Sequence, residues 1–401
     1  MGVLSGIRIV EVASAMVGPL ATDILALMGA EVIKLESRRK LELTRLMLDI
    51  SGSLPDPDMS PRFNEANLNK KGICLDLSKP EGLELAKKLI TVSDVVVENY
   101  AGGVIDKLGL GYEVLKEIKP DIIMVSASTS GHTGPEANVL GYAPLFGAFS
   151  GLSEITGYPD TEPFVGRMSM DSVNAVTITY ALLAALWHLR NTGEGQFIDY
   201  SSREGISSCI GDSLMDYTMN RTNQSRRGNR DDIMAPHNTY PCKGQDKWVS
   251  IAVATEEEWK AFCDALGNPE WTKEEKFSDA YSRWQNHEEL DKLVREWTVN
   301  YTPYEIMETL QKAGVAGIPS FSAEDLYTDP HLGSREFLEV VEHPKLGAVM
   351  VIRNPWRMSA TPPEINRHAP LLGEHTEYVL GEILGIGNEE IASLNEAKVT
   401  W

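Results

Sequence analysis

Cysteine, positive charge and long uncharged apolar runs are all scarce in this sequence. The four cysteines, Cys74, Cys209, Cys242 and Cys263, are scattered among mostly apolar neighbours and form no Cys-x-x-Cys pair. That excludes a zinc ribbon or a disulfide framework and reads each thiol as buried. The eight histidines include no His-Glu-x-x-His and no close pair, so no metal is expected. There are 37 Lys and Arg against 58 Asp and Glu, a formal charge of −21. Such an acidic chain is not expected to bind nucleic acid or an anionic membrane, and any anionic ligand needs a local basic cluster. The most apolar segment, 175–189, holds two threonines and His188 and is shorter than the ~20 residues of a membrane span. Arg8 and Glu11 interrupt the apolar amino-terminal stretch, and Gly6 stands where a myristoylation motif needs Ser or Thr. A cytoplasmic location is expected. Gly-x-Gly-x-x-Gly is also missing, which speaks against a nicotinamide cofactor.

Hydrophobic content of 42% with 24% charged residues is that of a globular enzyme. At 401 residues the chain exceeds one ordinary core, so two domains are expected. The first part alternates strand and helix: "GIRIVEV", "GPLATDILALMGA", "EVIKLE", then "GICLDLS", "KPEGLELAKKLITVS", "DVVVENY" and "DIIMVSAS". Alternation of this kind predicts a parallel sheet with helices on both faces, which binds ligands beyond the carboxyl ends of its strands. A large domain is expected over 1–205, a polar linker over 206–245, and a smaller α+β domain over 246–325. The segment 326–401 is too short and mixed to fold alone, so it is expected to complete the large domain.

One carboxylate stands out. In "PFVGRMSMDSVNAVTITYALLAALWHLRNTGEGQ" (163–196), Asp171 precedes a long apolar helix. It reads as an N-cap, which satisfies orphan backbone N–H groups, although Asn174 occupies the place of a capping-box Glu or Gln. It also reads as a partly dehydrated nucleophile or base.

Six segments taken together, "GIRIVEVASAMVGPLATDILALMGAEVIKLE", "NLNKKGICLDL", "VENYAGGVIDKLGLGYEVLKEIKPDIIMVSAS", "LLAALWHLRNTGEGQ", "RRGNRDDIMAPHNTYP" and "HAPLLGEHT", resemble in order and spacing the class III CoA-transferases. That family includes formyl-CoA and carnitine CoA-transferases and the α-methylacyl-CoA racemases, and the resemblance covers nearly the whole chain. It implies a Rossmann-like α/β large domain with a smaller α+β domain, an interlocked homodimer or a heteromer with a similar chain, and no permanently bound cofactor. Coenzyme A thioesters and carboxylic acids are the implied substrates. Asp171 falls where the family has its nucleophilic Asp. The resemblance also implies that coenzyme A contacts Asn99, Tyr100 and Lys107, with Ala15 and Met16 lining the thioester pocket. The clusters holding Arg38, Arg39, Arg45 and Lys71 are the cations available to its phosphates; their alternative reading is a solvated surface.

The departures are informative. Met16 replaces a Gln common in formyl-CoA transferases, and their Gly-rich lid loop is absent. Tyr142 and Ala143 stand where racemases carry a His-Asp pair, so the acid and base of α-proton exchange are missing. Arg167 reads either as a surface residue or as a bidentate partner for a second substrate carboxylate; His132 reads as structural or as a donor near the thioester. The missing lid and the apolar Met16, Leu145 and Phe146 favour an acceptor larger than formate or oxalate; succinyl-CoA with an aryl or alkyl succinate, as in the benzylsuccinate CoA-transferases of the family it resembles, is the expected pair, with carnitine-like or other medium acids as the alternatives. Two alternatives are an acyl-CoA racemase and a supporting subunit of a heteromeric transferase.

Overall fold

The structure is a computed structural model that describes residues 2–47, 56–166 and 169–400. The chain divides into two units, one formed by Met1–Ser153, Val165–Asn223 and His331–Trp401, the other by Glu154–Phe164 and Gln224–Pro330.

The first unit is built on six parallel strands: β1 (Arg8–Val12), β2 (Glu31–Glu36), β3 (Lys71–Cys74), β4 (Val95–Glu98), β5 (Ile123–Ser128) and β6 (Phe197–Ser201). Their order is β3-β2-β1-β4-β5-β6. The expected parallel α/β sheet is thus observed, and the strand order reverses between β1 and β4. Their carboxyl ends there open a crevice. Because both faces are covered, the strands are largely apolar, and alternate residues enter two different cores. Ile9, Val32, Val95 and Val125 pack with the Val17–Leu27 helix and the long Ser169–Thr192 helix. Val10, Ile33, Val96 and Met124 pack with the Pro80–Thr91 helix and with Val379 and Leu380. The carboxyl-terminal segment is hydrogen-bonded into this unit, from His375 N to Gly72 O and from Asp76 N to Val399 O.

The second unit has a three-stranded antiparallel sheet, β7 (His237–Pro241), β8 (Trp248–Ala252) and β9 (Ala316–Pro319). Helices Glu256–Ala265, His287–Thr298 and Pro303–Lys312 bury Phe262, Leu290, Val294, Ile306 and Leu310 against it. Two of these helices start with full capping boxes, Thr255 with Glu258 and Thr302 with Glu305.

The expected linker over 206–245 is not a linker. Its first part forms the Gly211–Asn220 helix of the first unit, and its last part is β7, paired with β8 from His237 to Pro241. The second unit also recruits Glu154–Phe164, which polarity along the chain gave no reason to expect. Gly228 N donates to Gly157 O, and Arg226 pairs with Glu154.

Candidate active site

The long helix begins at Ser169, two residues before Asp171, so the carboxylate lies inside the first turn and the N-cap reading fails. The first turn still leaves backbone N–H groups unpaired and carries the positive end of the helix dipole, so a carboxylate there is electrostatically favoured. Asp171 is half-buried, and no described residue donates a hydrogen bond to it. Burial pushes its pKa from the ordinary 3.8 to about 6, and the Arg62 guanidinium opposes that rise. At neutral pH the group is therefore largely ionised yet poorly solvated, which is the condition of a reactive oxygen nucleophile.

Anchors fix the helix behind it. Asn174, one turn on and fully buried, accepts a 2.8 Å hydrogen bond from the Tyr200 hydroxyl. Gly205 is required beside this pair, since a Cβ there would lie 2.2 Å from the Tyr200 oxygen and 2.5 Å from Asn174 Oδ1. Thr179 Oγ1 donates to Ala21 O of the Val17–Leu27 helix at 3.3 Å. Met170 joins Val17, Ala143 and Phe146 in one apolar cluster.

The β1 crossover holds the next group. Ala15 sits at φ +62°, a left-handed conformation that a non-glycine residue rarely adopts. Asn99, just beyond β4, clamps it: Ser14 N donates to Asn99 Oδ1 at 2.8 Å and Asn99 Nδ2 donates to Ser14 O at 2.7 Å. Asn99 thus shapes the crossover at the switch point of the sheet. Met16 is buried, and so is Phe146, so neither is free to line a large acceptor pocket. Tyr142, at the start of the Ala143–Phe149 helix, and Leu145 are exposed.

The expected cations separate into two kinds. Arg45 is wholly buried, with its guanidinium held by Glu36, Asp58 and Pro370 O and stacked 3.4 Å over the Phe63 ring. Every face of it is engaged, so it is a structural ion and not a phosphate ligand. Lys71 pairs with Glu31 and lies 3.9 Å over the Tyr378 ring. Its neighbour Lys70 is buried against Glu11, which also binds Lys34. That paired network holds the Glu11 carboxyl at about 2 despite burial. Arg38 and Arg39 stay exposed beyond β2, donating to Leu372 O and pairing with Asp76 respectively, and Lys107 is exposed beyond β4. Tyr100 is half-buried against the second apolar core. Arg167 lies outside the described residues.

Two groups escaped the sequence reading. Glu98, at the end of β4, accepts from Tyr100 N at 2.8 Å and from the Ser126 hydroxyl, and burial pushes its pKa to about 8. His132 is partnered here, with its ring against Ser126 Oγ and its Nε2 3.9 Å from Glu98. The other group is Arg62, 109 positions before Asp171 in sequence, which nothing local connects to it. Among the described residues no group of three or more His, Cys, Asp or Glu could hold a metal ion.

The sequence model of CoA-transferase family III matches residues 4–376. A succinyl-CoA–D-citramalate CoA-transferase of Chloroflexus aurantiacus is 30% identical over 99% of this chain and 98% of its own. The beta subunit of a succinyl-CoA–L-malate CoA-transferase from the same organism is 30% identical, with 99% and 98% covered. Among solved structures, a CAIB/BAIF family protein from Brucella suis matches with a TM-score of 0.85 and 29% identity, over 95% of this chain and 99% of its own.

Proposed function

Because the chain belongs to CoA-transferase family III and is thus a CoA-transferase, we propose that Asp171 is its covalent nucleophile, with succinyl-CoA as donor and a substituted succinate as acceptor. A carboxylate oxygen of Asp171 attacks the thioester carbonyl and expels coenzyme A as thiolate, leaving an aspartyl acyl anhydride. The thiolate attacks the aspartyl carbonyl, releases the donor carboxylate and forms an aspartyl-CoA thioester. The acceptor carboxylate then attacks that thioester to give a new anhydride and free thiolate. Attack of the thiolate on the acceptor carbonyl yields the new acyl-CoA and restores Asp171. Each step exchanges one activated acyl group for another, so ATP is not needed.

The observation that carries this reading is Asp171, half-buried in the first turn of the long helix and without a hydrogen bond from any described residue. The acceptor class rests on two relatives named for D-citramalate and L-malate, both substituted succinates. Exposed Tyr142 and Leu145 favour an apolar substituent such as the benzyl group of benzylsuccinate. The coenzyme A phosphates are assigned to Arg38, Arg39 and Lys107, and the thioester to the Ala15–Met16 crossover. We place the enzyme in the cytoplasm, where acyl-CoA is available. It works as an interlocked dimer, either of two copies or with a similar chain, as the subunit name of one relative suggests. Exposed Val176, Tyr180 and Trp187 on the long helix favour such a partner.

Intact-protein mass after incubation with a panel of acyl-CoAs, then hydroxylamine trapping and peptide mapping, tests the mechanism. An acyl or CoA adduct on the Asp171 peptide is expected. Labelling confined to a co-purified sister chain would make this the supporting subunit. Deuterium entering the α-position of an acyl-CoA without an acceptor acid would make it a racemase.

A further inference from the structure

Three polar side chains at the carboxyl ends of neighbouring strands form a buried chain that the transfer reaction leaves without a task. Glu98 closes β4, and its partner across the sheet is Ser126 of β5. Both are withdrawn from water, at 1% and 0% exposure. The Ser126 hydroxyl bridges Glu98 Oε1 and His132 Nε2, while Glu98 Oε2 accepts from Tyr100 N at 2.8 Å. Gly131, at φ +81°, turns the loop after β5 so that His132 N reaches both carboxylate oxygens of Asp199 on β6, at 2.9 and 3.1 Å. The His132 ring stands edge-on to Phe197 and keeps a small part of its surface in water.

A carboxylate at this depth needs a cation. Among the described residues no lysine or arginine pairs with Glu98; the one group beside it that can become a cation is His132, whose Nε2 lies 3.9 Å away. Val12 stands opposite on β1. Burial raises the Glu98 carboxyl to about 8 against the pull of the Tyr100 N–H, and Asp106 on the Val104–Lys107 helix adds to the rise. The Tyr100 phenol, itself pushed up by burial, stays neutral. The chain therefore holds one proton at neutral pH. With the Ser126 hydroxyl turned toward His132 that proton sits on Glu98, and with the hydroxyl turned toward Glu98 it sits on His132. Glu98 Oε2 keeps Tyr100 N in both arrangements.

What the chain holds is the turn after β4. Tyr100 N on Glu98 fixes Asn99 between them, and Asn99 carries both bonds to Ser14, next to the left-handed Ala15. We propose that Glu98, Ser126 and His132 are positioning residues, a buried proton-carrying chain that fixes the Asn99 clamp and so holds the Ala15–Met16 crossover in shape for the thioester. The proposal rests on the assignment of the thioester to that crossover. Loss of the proton strands a carboxylate beside a neutral histidine; the carboxylate then pulls toward water and the clamp loosens.

The test compares wild-type, Glu98→Gln, Glu98→Ala and Ser126→Ala proteins. Glutamine keeps an acceptor for Tyr100 N and a donor for Ser126 and is always neutral, so it mimics the protonated carboxyl. The rate constant for acylation by succinyl-CoA, followed by mass spectrometry, should fall in wild-type protein above about pH 8 and stay level in Glu98→Gln. At pH 7 Glu98→Gln should remain within about threefold of wild type, while Glu98→Ala and Ser126→Ala should lose on the order of tenfold. Amide hydrogen exchange in the unliganded proteins reads the clamp without substrate, and it decides even where Asp171 takes no label. Ser14, whose own acceptor is untouched by these substitutions, should exchange about tenfold faster in Glu98→Ala and Ser126→Ala and at the wild-type rate in Glu98→Gln. Wild-type exchange at Ser14 in both alanine variants would overturn the proposal, and so would an alkaline limb that survives in Glu98→Gln. Faster exchange at Ser14 with acylation unchanged at every pH would keep the chain as the support of the clamp and refute instead the placement of the thioester.

Discussion

Replacing Asp171 with Asn should abolish transfer and make the protein more stable at neutral pH. The carboxyl titrates at about 6 in the folded chain against an ordinary 3.8. The folded state therefore binds more protons than the unfolded state between those values, and stability falls as pH rises through that window. Below about pH 4 both states are protonated and nothing is lost; above about pH 7 the full cost is present. The difference corresponds to about 3 kcal/mol at full burial and to roughly half that for a carboxylate that still meets water. Removing the charge should thus raise the melting temperature by about 2–3 °C at pH 8 and by nothing near pH 4. Differential scanning calorimetry of wild-type and Asp171→Asn proteins across that range measures it. The same titration should appear in catalysis as an acid limb in kcat/KM near pH 6, because only the ionised carboxylate attacks. A variant no more stable than wild type at pH 8, or equally stabilised at both pH values, would refute the dehydrated carboxylate; so would an acid limb near 4.

Three further outcomes are expected. Arg45→Met leaves Glu36 buried without its cation and Asp58 paired with Lys345 alone and should cost about 3–5 kcal/mol, seen as a lower denaturation midpoint in urea. By contrast, Arg39→Ala, which removes an exposed guanidinium from Asp76, should raise KM for acyl-CoA and lower the midpoint by far less than Arg45→Met does. Gly205→Ala forces a methyl to 2.2 Å from the Tyr200 oxygen. It should break the Tyr200–Asn174 bond, destabilise by at least about 2 kcal/mol by thermal melt, and lower kcat by moving the start of the long helix.

The parallel sheet was legible because each strand is a short apolar run between helices of clear period, as in "EVIKLE" before "SRRK". Polarity marked 206–245 as a linker, yet β7 forms there because Asn238 and Tyr240 bond Asp291, a partner 53 and 51 residues away. The same limit governs the site. Asp171 could be found because an acid ahead of a long apolar helix is a local pattern; its dehydration could not, because that depends on how the first turn packs. Charge clusters told nothing of depth. Arg39 and Arg45 lie six residues apart in similar company, but one is exposed on Asp76 and the other buried on Glu36 and Asp58. A structural arginine is recognised by what it holds. What it holds exists only once the chain is folded, because the fold decides which carboxylates are buried beside each guanidinium.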